Sequence, residues 1–257
     1  MAVFKPDHKD YPVLGAGRIY FQQEGEEHER YLGDTPELSL TMTSETVDLF
    51  SSDGPVAELR ASVLTQIERT GNFTCNNIDP ENIALFFAGK YEDDTQSTIS
   101  STQETFEDTV PGGIYRLGVS PSSPYGVVDV TVTGVSDETG SPSPLSEGDD
   151  YIVDEEYGAV QLLKGGVTEI EVTYTGGPAT VHTVKTTDQV KLRGSLLFIA
   201  DNSYGENWNV FMPSVELAPD GDFSMKSRTD FQEVGFAISI STPDDGREAI
   251  YYYKKGA

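Results

Sequence analysis

Apolar and polar side chains alternate along much of the chain, and this period of two constrains the fold more than any other feature. In residues 37–43 the three apolar side chains share one face, and residues 234–241 follow the same pattern. Such alternation is typical of β-strands with one buried and one solvated face. Clusters of Gly, Pro, Asp and Ser separate these stretches, as turns require. We therefore predict a mostly β protein.

One helix interrupts the strand pattern at residues 79–89. Asp79 is a favourable N-cap, and Pro80 at the first helical position loses no useful N–H group. Gly89 is expected to adopt the left-handed conformation that ends the helix. Helical spacing predicts an apolar face that packs on a sheet. Its members are Ile83, Phe86 and Phe87.

The remaining segments suggest a discontinuous domain. Residues 44–61 contain a breaker at 51–55 and are interpreted as a long exposed loop, while residues 91–108 are acidic, rich in Ser and Thr, and interpreted as a loop or linker. Short strands at regular spacing follow, the pattern of a small antiparallel sandwich. We predict a core domain formed by residues 1–108 and 179–257, interrupted by an inserted β domain at 109–178.

The charge excludes whole classes of partner. The 43 acidic residues outnumber the 17 basic ones, which gives a formal net charge of −26. Binding to nucleic acid needs cations that neutralise phosphates, and anionic membranes attract basic segments, so neither partner is expected. The first residues lack the apolar stretch of a signal peptide, and we expect synthesis in the cytoplasm.

Catalytic signals are missing. The sequence has no Gly-x-Ser-x-Gly motif, and its three histidines, His8, His28 and His182, lack metal-ligand spacing. The acidic clusters at 149–156 and 244–245 lack the loop spacing that supplies six to eight oxygens to Ca²⁺. We predict no enzyme, no metal site and no cofactor. An acidic hydrolase that uses Asp149, Asp150 or Asp154 is the last-ranked alternative.

Aromatic residues supply a different alternative. Trp208 and the run Tyr251, Tyr252 and Tyr253 could stack on sugars, although packing is the commoner use of such side chains. A carbohydrate- or receptor-binding β module of the phage decoration or adhesin type therefore stays open beside a structural role.

Several stretches are distinctive when taken together. They are residues 17–21, 30–41, 44–54 and 77–87 followed by Gly89, with 145–154 and 158–160 in the insert. Together they resemble the major tail-tube proteins of long, flexible-tailed bacteriophages, and the resemblance covers most of the chain.

The resemblance implies a fold and an assembly. It implies a tail-tube β-sandwich with one flanking α-helix, and a small immunoglobulin-like β-sandwich inserted on the outside. Family members form hexameric rings that stack into a tube, without a cofactor or an active site. The expected partners are copies of the chain itself and other tail proteins such as the tape measure, tail tip and terminator. The virion tail is the expected location.

The resemblance also implies roles for particular segments. The segment 44–61 corresponds to a loop that reaches a neighbouring ring. Its candidate stacking residues are Glu45, Val47, Asp48, Leu49, Phe50 and Asp53. DNA would pass through an acidic lumen without specific binding, and alternation suggests residues 37–43 and 234–241 as strands that line it.

Overall fold

The computed structural model describes residues 11–186 and 192–256. Within these residues the protein is mostly β, as predicted, with one helix and 17 strands. In chain order the elements are β1 Gly17–Gln23, β2 Arg30–Tyr31, β3 Glu37–Phe50, β4 Leu59–Cys75, α1 Pro80–Phe86, β5 Gly89–Gln96, β6 Ile99–Glu107, β7 Ile114–Arg116, β8 Val130–Asp137, β9 Ser143–Pro144, β10 Tyr151–Asp154, β11 Ala159–Leu162, β12 Glu169–Gly176, β13 Ala179–Thr186, β14 Leu192–Ala200, β15 Asn209–Pro219, β16 Val234–Ile240 and β17 Tyr251–Tyr253.

The described residues fall into two compact units. The first ends at Tyr91 and resumes at Val184, and the second runs from Glu92 to Thr183. The expected boundaries after residues 108 and 178 lie inside the second unit, because β6 pairs with β12.

The interpretation of residues 91–108 as a loop or linker is wrong, since β5 and β6 occupy most of them. As an edge strand with few apolar residues, β6 gives little hydrophobic pattern.

An eight-stranded sheet forms the first unit. Its order is β2-β1-β14-β15-β16-β4-β3, and β17 pairs with β15. Every ladder in it is antiparallel. The strands predicted at residues 17–21 and 234–241 are confirmed as β1 and β16.

Burial alternates across this sheet as the sequence pattern requires. In β16 the buried side chains are Val234, Phe236, Ile238 and Ile240. Across the β4–β16 ladder, Phe73 and Phe236 stack with ring centroids 5.0 Å apart. Helix α1 contacts β15 and β16 and shares their apolar core. We call the side of the sheet that faces away from this core the polar face.

The capping of α1 is partly as predicted. The Asp79 carboxylate accepts a 2.7 Å hydrogen bond from the Asn82 N–H, which confirms the N-cap. The left-handed residue at the other end is Ala88, with φ of 47°, so the prediction for Gly89 is wrong. Gly89 is required for another reason, because a Cβ there would lie 2.6 Å from the carbonyl oxygen of Lys185.

The buried face of α1 is rotated from the predicted one. Phe86 is buried and Ile83 is half-buried, but Phe87 is 41% exposed and contacts Phe223 edge-on. Ala84 and Leu85 take part in the core instead. The helix has only seven residues, and no helix in the described part of the chain is long and apolar enough to cross a membrane.

A buried polar network attaches α1 to the sheet. Asn82 is 0% exposed, and its amide N–H₂ donates to the carbonyls of Leu32 and Asn77, both at 2.8 Å. Its carbonyl accepts a 2.8 Å hydrogen bond from the Arg30 guanidinium. The Cys75 thiol donates to the same Leu32 carbonyl. Because every polar atom of Asn82 has a partner, this side chain can be buried at little net cost.

The second unit has two sheets around a shared core. Their orders are β10-β11-β7 and β6-β12-β8-β9. The buried residues come from strands of both sheets and include Val130, Tyr151, Val160, Ile170 and Val172. Strands β5 and β13 form a separate two-stranded sheet.

We expect Asn82→Ala to lower the free energy of unfolding by about 2 kcal/mol, because buried carbonyls and a guanidinium lose their partner. Urea unfolding of the wild type and the variant measures the difference. The matched control is Glu81→Gln, which removes the charge that pairs with Arg30. Because the Glu81 side chain is 54% exposed, this substitution should lower the free energy of unfolding by less than about 1 kcal/mol. Equal effects of the two substitutions would contradict a structural role for the network.

Candidate functional site

A β-hairpin in the first unit extends beyond the sheet to which it belongs. Strand β4 pairs with β16 only from Thr70 to Cys75, whereas it pairs with β3 along nearly its whole length. We call residues 42–69, beyond the last β16 pair, the arm. Every residue from 42 to 50 and from 59 to 68 is exposed. At 3.3–3.4 Å per residue, the nine residues of β3 in the arm span about 30 Å.

The interpretation of residues 44–61 as a long loop is wrong. The breaker accounts for a short connection only, since β3 ends at Phe50 and β4 begins at Leu59. The N–H of Ser51 donates to the carbonyl of Glu58 at 2.7 Å and closes this turn. Arg60 pairs with Asp53 across it at 2.7 Å. The Thr and Val residues of the segment are strand formers, and this was the available signal.

A β-bulge sets which side chains of the arm meet. Glu45 is opposite Gln66 and Thr46 is opposite Leu64, so Thr65 is the extra residue. Its hydroxyl donates to the Glu45 carbonyl at 3.2 Å. A residue inserted in one strand shifts the later residues to the other face. The bulge therefore places Val63 directly opposite Val47.

The arm carries exposed apolar side chains on both faces. Cross-strand partners share a face. On one face Val47 and Val63 are 63% and 60% exposed, and Leu49 lies beside them. The opposite face carries Met42, Phe50, Leu59, Leu64 and Ile67. Two-sided apolar exposure is typical of an element that inserts between two other surfaces.

All six predicted stacking residues lie in the arm. Glu45, Val47, Asp48, Leu49 and Phe50 are on β3, and Asp53 is in the turn. The sequence interpretation missed their partners on the second strand. These partners are Leu59, Val63, Leu64 and Ile67. Local alternation identifies a strand but not the strand that pairs with it.

The long edges of the arm are unpaired. Among the described residues no strand pairs with the outer edge of β3, and none other than β3 pairs with β4 before Thr70. Open edges present N–H and C=O groups to other chains. The arm is also acidic, with five carboxylates against Arg60 and Arg69. These carboxylates belong to Glu45, Asp48, Asp53, Glu58 and Glu68.

The polar face of the sheet consists largely of small and hydroxylated side chains. Ser39, Asn72 and Ala237 lie in one row across β3, β4 and β16. A groove of about 730 Å³ at one end of this face has Arg193 and Glu216 among its lining residues. These two form an ion pair at 3.0 Å. The two predicted lumen strands thus belong to one sheet, with β4 between them.

The residues considered for chemistry are engaged in local contacts. Asp150 accepts a hydrogen bond from the Ser146 N–H and pairs with Lys164, while Asp154 accepts one from the Tyr157 N–H. No group of three His, Cys, Asp or Glu residues in the described chain is arranged to hold a metal ion, and His8 lies outside the described residues. Burial raises the pKa of the Cys75 thiol, which favours its protonated, unreactive form.

Trp208 is part of a packed C-terminal cluster. The ring of Tyr252 stacks on it with centroids 4.9 Å apart and planes 3° from parallel. The Lys254 ammonium lies 5.1 Å from the indole centroid and forms a 2.6 Å ion pair with Glu206. These contacts attach β17 to β15, and they give the indole a packing role.

One comparison with known proteins gives a match. A family model described as "Protein of unknown function UCP028589" matches residues 12–239. No curated protein matches the chain.

The two halves of β4 should differ in hydrogen exchange. In the monomer, amides of the arm should exchange through local opening, because a two-stranded hairpin without a packed face is only marginally stable. Amides at residues 70–75 should exchange only with global unfolding, because β3 and β16 flank them and Phe73 is buried. Mass spectrometry of peptides from each half measures both rates. Similar protection of the two halves in a monomer would show that the arm is packed.

Proposed function

The chain belongs to this family, and we propose that it is a structural subunit of a bacteriophage tail tube. It self-assembles into stacked hexameric rings with an acidic lumen through which the DNA genome passes. The arm is the observation that carries this proposal. It occupies the segment that corresponds, by resemblance, to the ring-stacking loop of tail-tube proteins, and it has the composition of a buried interface.

The apolar surface of the arm supports assembly. Burial of a Val or Leu side chain stabilises a complex by about 1.5–3 kcal/mol. A monomer gains nothing from Val47, Leu49 or Val63, whose side chains are all more than half exposed. Because both faces of the arm are apolar, its binding site has to be a cleft with two walls. Such a cleft exists where two neighbouring copies meet in a ring.

The free edges favour the same arrangement. A ring uses the exposed edge of each sheet and leaves no terminal copy with an open edge. The outer edge of β3 is 14 residues long. In the proposed tube the eight-stranded sheet of the first unit is one layer of a sandwich, and its edge strand β3 lies beside the next subunit.

The polar face suits the lining of a DNA channel. In β3, β4 and β16 its small and hydroxylated side chains, such as Ser39, Asn72 and Ala237, give DNA little apolar surface to which it could adhere. Arg193 is neutralised by Glu216, and Glu37 and Glu68 also lie on this face. Phosphates are repelled by such carboxylates, since binding needs cations that release counterions.

The second unit is proposed to be an immunoglobulin-like module on the outside of the tube. It holds 17 of the acidic residues but only two basic ones, Arg116 and Lys164. The tape measure, tail tip and terminator proteins are the proposed partners of the tube. We place the subunit in the virion tail after synthesis in the host cytoplasm, with no catalytic role. The packing of Trp208 against Tyr252 weighs against the carbohydrate-binding alternative.

We expect the double variant Val47→Ser/Val63→Ser to remain folded but to assemble poorly. Both side chains are exposed in the monomer, so the free energy of unfolding should change by less than about 0.5 kcal/mol. The critical concentration for tube growth should rise more than about tenfold, because each buried Val contributes more than 1.4 kcal/mol. Negative-stain electron microscopy and sedimentation measure assembly, and urea unfolding measures stability.

The matched control changes two exposed apolar residues of the second unit, Val119→Ser/Ile152→Ser. This control should form tubes at the wild-type concentration. Normal tubes from the arm variant would remove the arm from the assembly interface. A wild-type protein that stays monomeric at high concentration, with tail assembly factors added, would overturn the tail-tube proposal.

The second unit should be dispensable for ring formation. Replacement of residues 92–183 by a short Gly-Ser linker joins Tyr91 to Val184, and the close approach of Gly89 to the Lys185 carbonyl shows that the two chain ends run side by side. We expect a folded protein that forms rings, as judged by circular dichroism and electron microscopy. Rings lost from a folded deletion variant would show that the unit takes part in assembly.

A further inference from the structure

The loop between β15 and β16, residues 220–233, has the most exposed apolar side chains among the described residues. Phe231 is 96% exposed and Met225 is 78% exposed. The next two values belong to the arm, at 72% for Val56 and 71% for Met42. The four most exposed apolar side chains of the described residues thus lie in two places, the arm and this loop.

Contacts with the body of the first unit hold the loop in place. The ring of Phe223 packs against Phe86, with centroids 5.9 Å apart, and against Phe87 at 6.2 Å. Gln232 donates a 3.0 Å hydrogen bond to the Ser224 carbonyl. Since these contacts bind the two ends of the loop, the solvent exposure of Met225 and Phe231 is imposed by the fold.

The loop and the arm have complementary charges. Lys226 and Arg228 lie between the two exposed apolar residues, and neither forms an ion pair with any residue that the structure describes. In a chain with a formal charge of −26, two cations in one short loop form a local exception to the acidic surface. On the arm, the carboxylates of Glu45 and Glu58 also lack a hydrogen-bond or ionic partner within the described residues.

The loop and the arm project from opposite ends of the sheet. The arm begins beyond the pair Thr70–Ser239, at one end of the β4–β16 ladder. The loop connects Pro219 to Val234, and Val234 pairs with Cys75 at the other end of the same ladder. The two end pairs are five residues apart along the strands, which is about 17 Å. The arm of one copy can therefore meet the loop of a second copy that is displaced along the strand direction.

We propose that the 220–233 loop, through Met225, Lys226, Arg228 and Phe231, is part of the surface that receives the arm of a second copy of this chain. The contact is head to tail, because donor and receiver are different surfaces at opposite ends of one sheet. A head-to-tail contact that displaces each copy along the strand direction does not close into a ring, so it repeats and produces a stack. This inference rests on the proposed function and names the receiving surface for the arm.

Charge reversal on each side tests the pairing. The loop variant is Lys226→Glu/Arg228→Glu, and the arm variant is Glu45→Lys/Glu58→Lys, each in the full chain. Every one of these side chains is exposed, so both variants should fold as the wild type does. Each variant alone brings like charges together and should need at least about tenfold more protein to form tubes at low salt.

The equimolar mixture of the two variants is the decisive sample. Acidic loops of one variant then face basic arms of the other, and acidic arms face basic loops. We expect tubes from the mixture near the wild-type critical concentration, with both variants present in each tube.

Because the loop variant changes the net charge, its control is Arg116→Glu/Lys255→Glu, which makes the same change elsewhere and should assemble normally. The uncharged substitution Phe231→Ser should also raise the critical concentration for tube growth. The factor by which it does so should be the same at low and at high salt.

Two results would overturn the inference in distinguishable ways. If the wild type forms tubes and the loop variant forms them equally well, the loop does not receive the arm, and the tail-tube proposal stands. A mixture that assembles no better than its components has the same meaning. If the wild type forms no assembly under any condition, the proposed function and this inference both fail.

Discussion

The ladder between β4 and β16 ends at the pair Thr70–Ser239, while β4 itself continues for eleven more residues towards its start at Leu59. Beyond that pair the hairpin has only its own hydrogen bonds, and a two-stranded hairpin alone is marginally stable in water. The open edge of β4 and the lack of cover over the apolar side chains are consequences of this mismatch in strand length. The apolar alternation of this chain continues beyond its own sheet, and in the proposed assembly a second molecule covers that surface.

Much of the local structure was predictable, because period-two alternation and helix capping act over a few residues. Strand β16 and the Asp79 N-cap were found in this way. The failures depend on contacts distant in sequence. Gly89 is required by the approach of Lys185, and Ala88 takes the left-handed conformation instead. Phe87 is left outside the core because Phe223, far along the chain, is the partner of its ring.

The candidate site was found as a segment but not as a structure. A breaker such as residues 51–55 has the same composition in a loop and in a hairpin turn, so the sequence alone did not separate the two. The shift of Val63 to the face of Val47 depends on a bulge at Thr65, which no simple period describes. Composition did indicate the acidity of the arm, and the complementary cations at Lys226 and Arg228 became significant only when the sheet placed them at the opposite end.

Exposed apolar arms need protection against indiscriminate association, and the net charge of −26 opposes such association. Like charges repel copies at long range. Ordered assembly then requires a short-range attraction that exceeds this repulsion. At physiological salt the Debye length is about 8 Å, so paired charges in contact persist while distant repulsion is largely screened. Two unpaired cations flanked by exposed apolar side chains provide such an attraction in one relative orientation. Because the proposed contact joins opposite ends of the sheet, each added copy would present a new free arm, and growth would continue in one direction.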